Sequence, residues 1–315
     1  MWPSRNLPAV CETRLANALY STCMFQPLHK TIVAIVRRLP LPAARFAFRA
    51  YNKTLRTLKP EHVATTYFGA RIHCNPLDLI QRMILHFGVW EPDVSRVIEQ
   101  NLAPGDVFVD VGANIGYDTL LASSRVGAAG KVVSIEASPK TFALLQRNLA
   151  ANQTTSNVRA MNAAVSDRPG ILELYEVNAA NIGAATTLAS RGGTLVASVE
   201  ALPLDQILTP QERSRLRLIK MDVEGAEPPI LRHVLEHLST YPATMDIIVE
   251  ATPDDDPEAW RDVFGRMRAA GFTAWGIDND YELEWYLRWR RPSALQRIDT
   301  MPARQQDLLF TRRPR

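Results

Sequence analysis

From Val107 onward the chain alternates short β-branched apolar runs with stretches whose apolar positions recur every three or four residues. Uninterrupted apolar runs bounded by turn residues read as strands, and a 3.6-residue period reads as helix, so this rhythm predicts βαβ units and a parallel sheet covered on both faces. Seven strands are expected: Val107 to Val111, Val132 to Ala137, Val158 to Val165, Leu216 to Asp222, Ile247 to Ala251, Phe272 to Ile277 and Asp307 to Thr311. Between the third and fourth, Ile171 to Ala201 holds two β-rich pieces around a stretch rich in Ala, Gly, Asn and Thr, Asn178 to Gly193, which predicts a hairpin laid over the sheet. Residues 61 to 103 read as a helical lead-in, because Ile80, Met83, Ile84, Phe87 and Trp90 are spaced for one helix face. The expected organisation is therefore an N-terminal extension over 1 to 60, the lead-in over 61 to 103, and an α/β domain over 104 to 315. That domain is a doubly wound, mostly parallel, seven-stranded Rossmann-like sheet behind an N-terminal helical extension.

Charge changes the picture at the N-terminus. The net charge is +3, yet residues 1 to 60 carry ten Lys or Arg against one acid, Glu12, which leaves −6 for the remainder. Arg37, Arg38, Arg45, Arg49, Lys53 and Arg56 alternate with Ile32, Ile35, Leu39, Phe46 and Phe48, a mixture that suits an anionic membrane surface. No apolar run of about 20 residues occurs, so no spanning helix is expected. Arg14, Lys30 and Arg37 interrupt every early apolar stretch, which argues against a secretory signal and for a cytoplasmic, peripheral protein. Cys11, Cys23 and Cys74 form no metal or redox spacing.

The chemistry begins at Asp110-Val111-Gly112-Ala113-Asn114-Ile115-Gly116, which follows an apolar strand and opens a helix. Ligands of doubly wound sheets bind at such turns, and Gly112 and Gly116 permit a sharp turn and a close backbone approach. A dinucleotide loop needs glycine in the middle, where pyrophosphate meets the helix N-terminus; here Asn114 stands instead. Its amide can bond a carboxylate or amine, and Asp110 can pair with an ammonium, the two ends of an amino acid. That favours S-adenosylmethionine (SAM) over NAD, with Asp110, Gly112, Ala113, Asn114 and Gly116 as cofactor contacts. Glu136 ends the second strand, where an acid accepts bonds from ribose hydroxyls in either kind of site. Asn162 and Ala163 end the third, where an adenine edge lies.

Several segments together resemble the FkbM family of methyltransferases: Gly88 to Glu91, Pro104-Gly105-Asp106, the glycine loop, Ile135-Glu136-Ala137, Ala164 to Asp167, Leu204-Asp205 and, most specifically, Ile219-Lys220-Met221-Asp222-Val223-Glu224-Gly225-Ala226-Glu227. The likeness runs from about Leu77 to Glu250 and implies SAM as cofactor and methyl transfer to a hydroxyl, often on a sugar or polyketide-type metabolite. Ala137-Ser138-Pro139 departs from the family's Pro-Asn-Pro-like turn.

The residues support a reaction centre on their own terms. Asp222, Glu224 and Glu227 surround one glycine at the end of a buried strand, facing the crevice of the glycine loop. Crowded like charges raise one another's pKa, which suits one of them to general-base work; capping of the following helix is the alternative. Glu250 ends the neighbouring strand, so Asp222 and Glu250 are expected either to hold Mg²⁺ or to bind substrate hydroxyls. Asn181 and Thr186, in the hairpin loop, are the expected polar contacts to the acceptor. His233 and His237 have a metal-compatible spacing but no third ligand in sequence, and read as surface residues. Trp285, Tyr286 and Trp289, with Arg288, Arg290 and Arg291 among them, read as core packing with snorkelling arginines rather than a nucleic-acid platform. The expected acceptor is a small molecule or glycolipid. An NAD-dependent oxidoreductase, or a catalytically silent membrane adaptor on the same fold, remains the alternative; nucleic acid is not expected, because the Asn-Pro-Pro-aromatic and catalytic-cysteine segments of base methyltransferases are missing.

Overall fold

The computed structural model describes residues 22–58, 61–152, 156–176, 185–186, 193–288 and 292–314. Two helices, α1 (Thr22–Val36) and α2 (Leu41–Leu58), precede a β-hairpin, β1 (His62–Thr65) and β2 (Arg71–Cys74), and two further helices, α3 (Leu79–Phe87) and α4 (Pro92–Asn101). The expected all-helical lead-in is thus corrected over its first part. His62 and Ala64 on one strand and Ile72 and Cys74 on the other alternate into the core, and Gly69 turns the chain at φ 89°, so a two-residue period prevails there. Asp78 starts α3 by accepting a 2.9 Å bond from the Gln81 amide, and Met83 and Ile84 bury its apolar face.

The α/β domain follows as β3 (Val107–Val111), α5 (Tyr117–Val126), β4 (Lys131–Glu136), α6 (Pro139–Ala150) and β5 (Val158–Asn162). A second sheet is then inserted, from β6 (Ala164–Val165), β7 (Gly170–Glu176), β8 (Ala185–Thr186) and β9 (Thr194–Leu202). The chain returns through α7 (Leu204–Ile207), α8 (Pro210–Ser214), β10 (Leu216–Met221), α9 (Glu227–Glu236), β11 (Asp246–Ala251), α10 (Pro257–Ala269), β12 (Thr273–Ile277), α11 (Leu283–Arg288), β13 (Gln296–Ile298) and β14 (Gln306–Thr311).

The main sheet has the order β13-β12-β14-β11-β10-β3-β4-β5, parallel from β5 to β11, with β14 antiparallel between β11 and β12. The seven expected strands are present; β13 is an eighth, paired antiparallel to β12. The expected third strand, Val158 to Val165, divides at Ala163, and its last two residues join the second sheet. Both faces of the main sheet are covered, which is why its strands read as unbroken apolar runs. Val94, Val97, Ile98 and Leu121 from α4 and α5 pack on one face with Phe108, and Ile230, Val234, Trp260 and Val263 from α9 and α10 pack on the other with Val109 and Ile219. The chain leaves β3 towards β4 on one side, while β10 and β11 lie on the other, so the crevice at the carboxyl ends of β3 and β10 is a topological switch point. In the insertion β7 and β9 pair antiparallel, as expected of a hairpin, and Leu174, Val199 and Ala201 pack with Ala164.

Candidate functional site

Two adjoining cavities occupy the switch point and share Ile80, Gly112, Asn114, Asp222 and Glu224 as lining residues. The larger, about 240 Å³, is walled by Trp90, Glu91, Asp118, Lys220, Glu250, Tyr281 and Gln305. The smaller, about 80 Å³, is mostly apolar, with Val111, Ile135, Ala163 and Leu174 around a single further acid, Glu136.

Three described residues other than glycine have left-handed backbones: Glu91 at φ 42°, Asn114 at φ 48° and Glu224 at φ 57°. All three line the larger cavity. Asparagine tolerates this region, whereas a glutamate there stores about 1 kcal/mol or more of strain, which is retained mainly at working sites. The glycines of the loop also serve packing. A Cβ on Gly112 would lie 1.8 Å from the Asp222 carbonyl oxygen, and one on Gly116 would lie 2.4 Å from Leu145 Cδ1. The glycines therefore allow the loop to press against the acidic loop and α6.

Electrostatics divides the cleft. Lys220 reaches Asp222 Oδ2 at 3.2 Å and Asp118 Oδ2 at 3.3 Å. Burial opposes its charge, but Asp222, Asp118, Glu91 and Asp110 outweigh that and hold the ammonium well above its ordinary pKa. Burial, reinforced by neighbouring acids, pushes the carboxyls of Glu91 and Glu250 well up. The Tyr281 hydroxyl lies 2.6 Å from Glu250 Oε1 and 3.2 Å from Glu91 Oε1. It has one proton to give, so a proton retained on either carboxyl completes the set, in keeping with both shifts. Gln305 Nε2 also donates to Glu250 Oε1 at 2.6 Å.

Glu136 accepts from the Asn114 amide at 2.9 Å and the Ser138 amide at 2.8 Å, and burial raises it to about 7. Asp110, expected to meet an ammonium, is buried behind the loop and lines neither cavity; it accepts from the Thr119 hydroxyl at 2.6 Å and is raised to about 7 by burial. Asp118 takes the cavity-facing place; its Oδ1, like that of Asp110, is buried and lacks a hydrogen-bond partner. Asn162 also lines neither cavity, because both its amide bonds go to the Glu136 and Ala137 carbonyls. Gly112, Ala113, Asn114, Glu136 and Ala163 are at the cleft as expected, while Gly116 acts through packing.

Of the acidic segment, Asp222 and Glu224 face the cleft and Glu227 does not. Its Oε1 accepts from the Val223 amide at 2.8 Å, so it ties down the loop at the start of α9, in line with the capping alternative. Glu250 lines the cavity beside Asp222 as expected. The Mg²⁺ expectation gains no support: Glu250 Oε1 accepts from Tyr281 and Gln305, Lys220 compensates Asp222, and no trio of carboxylate, imidazole or thiol ligands gathers there among the described residues. Asn181 lies outside the described residues, and so does the side chain of Thr186. Trp289, Arg290 and Arg291 are outside them too, whereas Tyr286 is buried and accepts from the Glu91 amide at 3.1 Å.

Comparison with known proteins converges on the same region. Residues 110–274 match the Methyltransferase FkbM domain, a span that begins at the glycine loop and ends in β12. Methyltransferase sdnD of Sordaria araneosa is 30% identical over 164 residues, covering 43% of this chain and 63% of its own length. Protein-L-isoaspartate O-methyltransferase of Caenorhabditis elegans is 25% identical over 149 residues, 47% of this chain and 64% of its own. Hexuronic acid methyltransferase AglP of Haloferax volcanii is 26% identical over 168 residues, 53% of this chain and 65% of its own. The chain thus spans less than two thirds of each of these relatives. With the domain match extending over more than half of its residues, this chain belongs to the FkbM methyltransferase domain family.

Proposed function

We propose that this protein transfers a methyl group from SAM to a hydroxyl of a sugar, glycolipid or secondary metabolite. The observation that carries the reading is the larger cavity, where Asp222, Glu224, Glu250, Glu91 and Asp118 surround one ammonium beside the glycine loop. Carboxylates accept hydrogen bonds from hydroxyls, and their excess repels an anionic acceptor such as a carboxylate. The donor set also suits the cofactor. Glu136, already fixed by two backbone amides, would take the ribose hydroxyls, and the partnerless oxygen of Asp118 would take the ammonium. When bound, SAM supplies an electrophilic methyl group. The chain's own part is to hold the acceptor hydroxyl against Glu250, Tyr281 and Gln305 and to receive its proton at Asp222, which Lys220 orients.

The N-terminal helices would keep the enzyme at an anionic lipid surface. Ile35, Leu39 and Phe46 are exposed, Phe46 at 77%, and Arg49, Lys53, Arg56 and Arg82 line a groove of about 710 Å³. No described helix is long and apolar enough to cross a membrane.

Incubation with methyl-labelled SAM and a panel of neutral glycosides, uronic acids and lipid-linked glycans tests the acceptor. The expected product is a base-stable methyl ether on a hydroxyl; a base-labile methyl ester as the sole product would contradict the reading. Cosedimentation with anionic but not neutral vesicles, lost in Arg49→Glu/Lys53→Glu, tests the surface, and equal binding to both vesicles would refute it.

A further inference from the structure

Outside the cleft, the structure brings a third residue to the histidine pair that the sequence leaves without one. His233 and His237 lie four residues apart at the end of α9, and their rings stack with centroids 4.2 Å apart. Asp205, in α7, reaches the same spot: its Oδ1 lies 2.8 Å from His233 Nε2. The side chains of His233 and Asp205 are only 14% and 19% exposed. Each of the three residues offers one ligand atom, and these atoms lie within 4.8 Å of one another.

The orientation of His237 is the more telling feature. Its Nδ1 sits 3.0 Å from the His233 carbonyl oxygen, which can only accept, so Nδ1 donates and, in the neutral ring that a metal binds, the lone pair is on Nε2. A backbone carbonyl on the far nitrogen is the arrangement that fixes the tautomer of metal-bound histidines. Ligand atoms around a tetrahedral ion at about 2.0–2.2 Å stand about 3.4 Å apart. The 2.8 Å pair must open slightly and the wider contacts must close, changes within reach of side chains at a partly exposed helix end. Two imidazoles and one carboxylate select first-row transition ions over Mg²⁺ or Ca²⁺, and three protein ligands leave a fourth position for water.

We propose that Asp205, His233 and His237 bind one divalent transition-metal ion of the Zn²⁺ class. The ion takes the place of the proton between His233 and Asp205 and fastens α7 to α9. α7 follows β9 of the second sheet, which contributes Leu174 to the smaller cavity through β7; α9 begins at Glu227, which anchors the acidic loop. The ion therefore braces two walls of the cleft without touching it.

Calorimetric titration of untagged, chelator-stripped full-length protein with Zn²⁺ tests this, with Mg²⁺ in a parallel cell. One Zn²⁺ per chain with micromolar affinity and no heat from Mg²⁺ is expected. His237→Gln and Asp205→Asn are each expected to weaken Zn²⁺ at least tenfold, about 1.4 kcal/mol, while His73→Gln, in a separate pair with Glu61, leaves it unchanged. Co²⁺ is expected to give the intense visible bands of a tetrahedral site, lost in His237→Gln. Failure of the wild-type protein to bind Zn²⁺ saturably at one per chain, or unchanged affinity in His237→Gln, would overturn the proposal.

Discussion

In the larger cavity several carboxylates surround one ammonium, whereas in the smaller a single further acid, Glu136, faces Val111, Ile135, Ala163 and Leu174. Burial is the leading influence on the acids of both, yet its consequences differ. In the larger cavity Asp222 and its acidic neighbours hold the Lys220 ammonium charged, while burial and nearby acids favour a proton on Glu91 and on Glu250. In the smaller, burial brings Glu136 to about 7 against the pull of two backbone amides, with Asp110 and Asp222 adding to the rise. On the proposed function, the polar end handles a proton and the other end grips a nucleoside. Asn114 and Glu224, both in left-handed conformations, stand on the wall between them.

The largest effect that separates the two ends is expected from Asp222→Ala. Losing a proton acceptor in the transition state costs about a thousandfold in kcat. Binding of S-adenosylhomocysteine changes by a few-fold at most, because the Asp222 carbonyl that packs on Gly112 remains. A collapse of cofactor affinity in step with kcat would erase the division of labour.

Next comes the pH response of Glu136. Its folded pKa, about 7, lies above its ordinary 4.5, so the folded state holds the proton more tightly. The contribution to stability is complete below about pH 4.5 and is lost as pH rises through about 7. Relative to the wild type, Glu136→Gln is therefore expected to gain up to a few kcal/mol between about pH 5 and 8, read as the difference in Tm at the two pH values. A constant difference would mean that Glu136 does not titrate in this range.

The smallest effect is expected at Glu224→Gly, which releases the strain of φ 57°. Stability rises by about 0.5–1 kcal/mol in denaturant titration while turnover falls. A loss of stability would show that the Glu224 side chain supports the fold more than its backbone strains it.

The parallel strands and both loops of this cleft were legible in the sequence, because buried strands and glycine turns leave local signatures. The rest was not, for physical reasons that differ by residue. Asp110 and Lys220 sit opposite one another in register on β3 and β10, yet Lys220 lines the cavity and Asp110 stays behind it, an orientation that the residue types do not reveal. Lys220 itself stands in the family segment, but its partner Asp118 comes from α5. Tyr281 and Gln305 arrive from segments remote in sequence, and only their contacts with Glu250 mark them; Glu91 ends a segment of the family likeness, but its place beside Tyr281 is a tertiary contact. The same holds for Asp205, whose place in a Leu-Asp pair gave no hint of His233. The hairpin β1–β2 was missed because its strands, of four residues each, are too short for the two-residue period to stand out beside the helical spacing that follows.

The central claim is that this cleft holds SAM, with Glu136 on the ribose and Asp118 on the ammonium. Calorimetric titration of the full-length protein with S-adenosylhomocysteine, alongside NAD and repeated in Glu136→Ala and Asp118→Asn, tests it most directly. One site of micromolar affinity is expected, weakened about ten- to a hundredfold by either substitution, with no binding of NAD. Binding of NAD alone, or undiminished binding of S-adenosylhomocysteine in both variants, would contradict it.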